Sequence, residues 1–190
     1  MNEDDQHDLF SAASDMQLAK LLLADLHDGL TERIARYRYL NDISASLGEG
    51  GTIVFGGTAA YASLNEARSS FVHGNFVASI LLCQALAENI LAGYLHVRME
   101  ELPPKVSFNE TLKRCQAQGI LSQEDADNLK KLAGLRNPLS HFRNIDDPDN
   151  LMRRSMTAGT AADDLLSTDA HFAIATAIRL LASSHFRVGA

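Results

Sequence analysis

The fold of this chain depends on one apolar stretch, Ile80-Leu81-Leu82-Cys83-Gln84-Ala85-Leu86-Ala87-Glu88-Asn89-Ile90-Leu91, inside a helical pattern that runs from Phe76 to Met99. Apolar residues surround this helix on nearly every side, whereas a surface helix keeps one polar face. Gly74 and Asn75 precede the pattern and two prolines follow it, and such residues commonly interrupt helices. We therefore predict that residues 76–99 form the central, buried helix of the protein.

On both sides of this stretch, apolar residues recur every three or four positions, which is the period of an amphipathic α-helix. The recurrence predicts five further helices, with Asp15, Ser107 and Ser122 as three of the N-caps, over residues 15–40, 58–73, 107–119, 123–135 and 168–185. Ahead of the last helix, residues 146–168 are predicted to be a polar loop with room for one helical turn near residues 151–156. The fold class is therefore predicted to be all-α.

The glycine-rich residues 48–57 are predicted to separate two parts of the chain. Two glycine clusters flank the β-prone residues 52–55, so a flexible connector is expected, with a short strand or hairpin as the alternative. No Lys-Ser or Lys-Thr pair follows the glycines, which excludes a P-loop. We divide the chain into residues 1–57, an acidic N-terminal helix plus linker, and residues 58–190, a bundle of four to five helices.

Composition indicates a soluble globular protein, with 46% hydrophobic and 22% charged residues among 190. No uninterrupted apolar run reaches the roughly 18 residues that span a bilayer. The acidic start, Met1–Asp5, is the opposite of a basic targeting segment, so we expect a cytoplasmic protein without a membrane partner. Cys83 and Cys115 lie within helical patterns and are expected to be reduced, buried thiols.

The net charge of −7 argues against broad, non-specific binding of nucleic acid. However, residues 1–56 hold four Lys or Arg against ten Asp or Glu, so the remaining 134 residues carry a net charge of only −1. A local phosphate-binding groove is therefore possible in the second part of the chain.

The residues with the most chemical potential lie in Leu135-Arg136-Asn137-Pro138-Leu139-Ser140-His141. Arginine binds phosphate through a fork of donors, and histidine transfers protons near neutral pH. Pro138 allows two conformations: a kinked helix, or a new helix with Asn137 as N-cap and Pro138 in its first turn. Either would leave backbone amides free beside Arg136 and His141. The alternative to a functional site is an ordinary helix break between surface polar residues.

A second polar feature is the pair Gln84 and Glu88, one turn apart in the otherwise apolar central helix. A charge there is costly unless it is paired or solvated. Either the pair marks a narrow wetted stripe, or Glu88 orients Arg136 or Asn137 from a neighbouring helix. The histidines outside the Arg136 segment lack the spacing of metal ligands, so no metal or cofactor is expected.

In the order of these features the chain resembles the HEPN family (higher eukaryotes and prokaryotes nucleotide-binding domains), whose helical bundles carry an Arg-x4–6-His motif. The resemblance covers roughly residues 58–186. It rests on Ala67, Phe71 and Gly74 in one helix, on Ala85-Leu86-Ala87-Glu88, on Ser107-Phe108, on Gly119-Ile120-Leu121, and on Leu135-Arg136-Asn137 with His141. It departs from the family at Arg143, where many family toxins have tyrosine.

The resemblance implies a metal-independent endoribonuclease of the toxin or anti-phage defence type, with RNA and a second copy of the chain as partners and an antitoxin or regulatory protein as a further partner. Arg136, His141 and Asn137 would be catalytic, and Glu88, Ser140 and Arg143 supporting. The 2′-hydroxyl of RNA would attack in a composite site where the motifs of two copies meet across a two-fold axis, leaving a 2′,3′-cyclic phosphate. The alternative is a non-catalytic nucleotide-binding or protein-interaction module. A third possibility does not depend on the resemblance: the protein is a scaffold bundle whose N-terminal helix, residues 15–40, docks on another protein.

Overall fold

The predicted central helix is the core of the bundle in this computed structural model, which describes residues 13–188. Within that range the chain forms eight α-helices: α1 (Asp15–Asp28), α2 (Leu30–Ser44), α3 (Gly57–His73), α4 (Phe76–Val97), α5 (Phe108–Ala117), α6 (Gln123–Ser140), α7 (Leu151–Ala158) and α8 (Ala162–Leu181). A short 3₁₀ turn, Ala45–Leu47, follows α2. The predicted all-α fold class is confirmed. The acidic segment Met1–Asp5 lies outside the described residues.

α4 packs against α3, α5, α6 and α8. Five of its large apolar side chains are completely buried: Ile80, Leu86, Ile90, Leu91 and Leu95. By length and composition α4 would also pass as a membrane span, but here it is the core helix of a bundle, as is compatible with a soluble protein. Both cysteines are free and buried, and burial raises the pKa of each thiol, Cys83 and Cys115, to about 12.

Serine caps fix the starts of α5 and α6 as the sequence predicts. Ser107 Oγ accepts a hydrogen bond from the Glu110 amide at 3.2 Å, and Ser122 Oγ accepts one from the Asp125 amide at 3.1 Å. Near the N-terminus the cap is Ser14 rather than the predicted Asp15. Each hydroxyl satisfies an amide that has no partner within its own helix, which is why these residues begin helices.

The predicted helix over residues 15–40 is interrupted at Gly29, so it forms two helices, α1 and α2. Arg33 spans the break, with its Nη2 3.3 Å from Asp25 Oδ2. α2 packs on α3 and α8, and Leu40 belongs to the same core as α4. In contrast, α1 buries no residue against the bundle.

The predicted polar loop of residues 146–168 is wrong in extent, because α7 and the first turns of α8 occupy most of it. Asn150 caps α7 by accepting hydrogen bonds from the amides of Met152 and Arg153. Arg154 of α7 then forms a bidentate ion pair with the buried Asp169 of α8, at 2.8 and 3.0 Å. Sequence periodicity misses these helices because polar residues anchor them.

The glycine-rich segment is not the flexible connector that was expected, because backbone hydrogen bonds attach it to residues 186–188. Its Ile53 amide donates to the Phe186 carbonyl, and the Val188 amide donates to the Gly51 carbonyl. Thr52 forms only an isolated antiparallel bridge with Arg187, and no strand is present among residues 13–188. At Gly56 the segment lies so close to α4 that a Cβ on Gly93 would stand 2.4 Å from the Gly56 nitrogen.

Candidate functional site

The Arg136 segment lies at the end of a helix, not at the start of one. α6 continues through Pro138 to Ser140, so the new helix with Asn137 as N-cap does not form. The His141 amide closes the helix by donating to the Asn137 carbonyl at 3.1 Å, and Ser140 Oγ donates to the Arg136 carbonyl at 3.2 Å. The expected cluster of free amides is therefore wrong, because the terminus that forms is the carbonyl end of the helix.

A polar pocket of about 320 Å³ surrounds Arg136 and Asn137. Three helices line it: α4 supplies Gln84 and Glu88, the start of α5 supplies Ser107, Phe108 and Asn109, and α6 supplies Lys130, Ala133, Gly134, Arg136 and Asn137. The Ser107 cap fixes where α5 begins and thereby places Phe108 at the pocket. The pocket thus brings together three residues that the sequence singles out: Arg136, Asn137 and Glu88.

Gln84 is the least expected feature of this pocket, because its side chain is 98% buried although it is polar. Its Nε2 donates to Glu88 Oε1 at 3.0 Å, whereas its Oε1 is buried and has no hydrogen-bond partner. A carboxylate can only accept, so the amide nitrogen must face Glu88 and the oxygen must remain the unpaired atom. An unpaired buried oxygen is costly, so Gln84 is an energetically unfavourable feature of this wall.

A second pocket of about 270 Å³ adjoins the first. The two share Glu88 and Phe108 in their walls, so they are neighbouring pockets along α4. Lys105 lines the second pocket, and Lys130 and Arg136 line the first. Three cations in the walls of two neighbouring pockets can attract the phosphates of a nucleic acid, although the Glu88 carboxylate in both walls opposes them.

The Arg136 guanidinium makes no ion pair and no side-chain hydrogen bond with any residue in the described range. Glu88 shares the pocket with it but bonds to Gln84, and it forms no hydrogen bond with Arg136 or Asn137 in the part of the chain that the structure describes. Arg136 is partly exposed, so its donors are available to an external anion.

His141, Ser140 and Arg143 stand apart from the pocket. His141 is exposed at the C-cap of α6 and does not line the pocket that contains Arg136. Arg143 pairs with Asp147 at 3.1 Å, and its carbonyl accepts from Asn150, so both groups fasten the loop between α6 and α7. Ser140 returns its hydroxyl to its own helix. Within one chain, therefore, Arg136 lines the pocket and His141 does not.

The sequence did not identify Phe108, Asn109 and Lys130 as pocket residues. Only the Ser107 cap hinted at them, because it fixes the start of α5 but not the helix that α5 faces. No group of three or more metal-ligating side chains is present among residues 13–188. Comparison with family models, curated proteins and solved structures finds no match to this chain.

Proposed function

We propose that this protein is a metal-independent endoribonuclease of the toxin or anti-phage defence type, cytoplasmic and active as a homodimer. One observation carries the proposal: Arg136 has no ion-pair partner within the described chain and faces a polar pocket, while His141 is exposed at the end of the same helix. An unpaired guanidinium and an exposed imidazole are the groups that RNA cleavage without a metal requires.

The chemistry follows from what RNA itself supplies. The 2′-hydroxyl attacks the adjacent phosphorus, the bond to the 5′-oxygen breaks, and a 2′,3′-cyclic phosphate remains. His141 either takes the proton that the 2′-hydroxyl loses or gives a proton to the departing 5′-oxygen, with water exchanging the other proton, and this transfer accounts for about 10²- to 10⁴-fold in rate. Arg136 neutralises the charge that builds on the phosphate oxygens in the transition state, and Asn137 hydrogen-bonds the substrate beside it.

The separation of Arg136 and His141 within one chain supports a site shared between two chains. α6 runs antiparallel to α8, since Arg179 near the end of α8 bonds to Glu124 and Asp125 at the start of α6. The end of α6, with His141, therefore lies at the same end of the bundle as the start of α8. In a two-fold dimer joined at that end, His141 of each copy would serve the Arg136 pocket of the other.

α1 offers the contact surface for such a dimer. The large apolar side chains of α1, together with Leu30 at the start of α2, are 41–66% exposed: Met16, Leu18, Leu21, Leu22, Leu23, Leu26 and Leu30. Soluble monomers rarely expose so continuous an apolar surface. Arg36 of α2 donates a hydrogen bond from Nε to the Val72 carbonyl and stacks on the Phe76 ring. Because α1 precedes α2, it leaves the bundle near the start of α4. The start of α8 lies at the same end, because Asp163 lines a pocket with Phe76.

The spacing within α1 favours a second copy of the same helix as the occupant. Met16 and Leu23 are seven residues apart, and Ala19 and Leu26 fill the alternate positions of a heptad. In a parallel pair, Asp15 of one copy would face Lys20 of the other, because these residues take the flanking positions that form interhelical ion pairs. Both the apolar seam and the charges are thus self-complementary.

Leu23→Asp is expected to convert the dimer to a monomer, because it places a carboxylate in the middle of the seam. Leu21→Asp is the matched control: Leu21 is 66% exposed and Leu23 is 65% exposed, but Leu21 points away from the seam. Sedimentation equilibrium should report a monomer for Leu23→Asp and a dimer for Leu21→Asp. Equal masses for the two variants, or a monomeric wild-type protein, would contradict the α1 dimer.

The nuclease proposal is tested by incubating the purified protein with total RNA in a chelator. The wild-type protein should cleave RNA and leave 2′,3′-cyclic phosphate ends. These ends should be removed by an enzyme with 2′,3′-cyclic phosphatase activity and should resist an ordinary phosphatase. Arg136→Ala should lose cleavage, whereas Arg187→Ala, a cation outside both pockets, should retain it. If the wild-type protein and Arg136→Ala cleave equally little, the chain is no nuclease.

The alternative is a non-catalytic nucleotide-binding module, and the unpaired Oε1 of buried Gln84 favours it specifically. Gln84 lines the pocket and His141 does not, so a role for Gln84 would be in binding and not in proton transfer. Binding of mononucleotides without cleavage of RNA would select this alternative.

A further inference from the structure

We propose that Phe142 binds one base of the RNA by stacking, beside the phosphate at which His141 acts. The inference rests on the proposed function, because it assumes that RNA occupies the site. The carrying observation is the exposure of the ring: Phe142 is 94% exposed, more than any other Phe or Tyr among residues 13–188. It directly follows His141, which is exposed as well.

The backbone on both sides of this ring is fixed. On one side, the His141 amide ends α6 by donating to the Asn137 carbonyl at 3.1 Å. On the other side, Arg143 Nη1 donates to Asp147 Oδ2 at 3.1 Å, and the Arg143 carbonyl accepts from Asn150 Nδ2 at 3.0 Å. An apolar ring that is held in water gains free energy when another flat apolar surface covers it.

The residues around the ring favour a nucleic-acid base over an apolar protein surface. Its chain neighbours are His141 and Arg143, and Ile145 is the one other large apolar side chain between α6 and α7. Protein contacts cover continuous apolar patches, as α1 offers, whereas surfaces that bind single strands place aromatic rings among polar and cationic residues. Stacking needs no charge, so the exposed Asp146 nearby does not oppose a base as it would oppose a phosphate.

Phe142 also follows His141 into the shared site, since consecutive Cα atoms are about 3.8 Å apart. In the proposed dimer, His141 of one copy serves the Arg136 pocket of the other, so the ring stands at the edge of that pocket. Arg136 binds the scissile phosphate, and Phe142 binds the base of a nucleotide next to it. The substrate class is therefore unpaired RNA, because the bases of a duplex already stack on one another.

Tryptophan fluorescence tests the contact directly, because the chain has no tryptophan. Phe142→Trp places a single indole at the ring position, and its emission should be quenched when a base stacks on it. The probe is a single-stranded DNA oligonucleotide, which lacks the 2′-hydroxyl and therefore stays uncleaved. An oligomer of the same length made of abasic units keeps the phosphates and should leave the emission unchanged.

Tyr61→Trp is the matched control, since Tyr61 is also an exposed ring, at 60%. It lines neither pocket and lies in the first turns of α3, which begins where Gly56 contacts Gly93 near the end of α4. Its emission should not respond to the oligonucleotide. Constant emission from Phe142→Trp while anisotropy shows the oligonucleotide bound, or equal quenching in both variants, would overturn the inference.

The affinity of the same oligonucleotide gives a second readout. Phe142→Ala should weaken binding by roughly 5- to 150-fold, as expected for the loss of one stacked base, whereas Phe142→Tyr keeps a ring and should bind like the wild-type protein. Sedimentation of Phe142→Ala should still report a dimer. A monomer would show that the ring is a contact between protein chains, which would also overturn the inference.

Cleavage assays separate this inference from the proposed function. Cleavage confined to unpaired RNA, together with quenching of Phe142→Trp, supports both. Cleavage by the wild-type protein without quenching removes the inference and leaves the nuclease. Quenching without cleavage removes the nuclease and leaves a surface that binds single strands.

Discussion

A mixture of Arg136→Ala and His141→Ala chains is expected to recover about a quarter of the wild-type cleavage rate, because a two-fold dimer exchanges the same residues in both directions. Each variant alone should be nearly inactive, and His141→Ala should fall by about 10²- to 10⁴-fold. Half of the randomly mixed dimers contain one of each chain. In each such dimer, one site combines the intact Arg136 of one copy with the intact His141 of the other.

The physical reason lies in the geometry of one chain. Arg136 lines the polar pocket, and His141 caps the same helix outside that pocket. If each chain completed its own site, mixing would restore nothing. Coexpression of the two variants in equal amounts and assay of the total pool of dimers is the measurement. The control replaces His141→Ala with the double variant Arg136→Ala/His141→Ala, which leaves no dimer with an intact pair and should show no recovery.

Most of the fold could be predicted because apolar periodicity determines which helices are buried. The stretch that contains Ile80, Leu86 and Ile90 became the central helix, and Ser107 and Ser122 began the helices that they were expected to cap. These features depend on local chemistry alone. A hydroxyl that accepts from an amide three residues later needs no knowledge of the rest of the chain.

The errors arose where distant contacts override local pattern. α7 was predicted only as one turn near residues 151–156 and the start of α8 as loop, because the buried pair of Arg154 and Asp169, 15 residues apart, stabilises them in place of an apolar face. The glycine-rich segment was expected to be flexible because glycine favours open backbone. It is instead held by bonds to residues 186–188 at the other end of the sequence.

The candidate site was also predicted only in part. The sequence singled out Arg136, Asn137 and Glu88, and the fold brings these three to one pocket. Gln84 was noticed only as the neighbour of Glu88, and the structure places the two in different environments: Glu88 is exposed and Gln84 is buried. Periodicity in a helix that is apolar on all sides gives no phase, so it does not tell which polar residue faces inward.

Gly93→Ala is expected to lower the free energy of unfolding by about 3 kcal/mol, because overpacking a core against backbone costs that much. The added Cβ would lie 2.4 Å from the Gly56 nitrogen and 2.8 Å from its Cα, distances that no side-chain rotation can relieve. For a protein of this size the loss corresponds to a fall of roughly 6–12 °C in melting temperature. Differential scanning calorimetry is the measurement.

Gly134→Ala is the matched control, since Gly134 is also a helical glycine but has nothing within 4 Å of the added carbon. Alanine there should raise the stability by about 0.5–1 kcal/mol, because it reduces the backbone freedom of the unfolded chain. Opposite signs for the same substitution would establish that contact, and not helix propensity, determines the effect at Gly93. If Gly93→Ala melts with the wild-type protein, the crossing of Gly56 over α4 is not tight, and the glycine-rich segment is the flexible connector that its composition suggests.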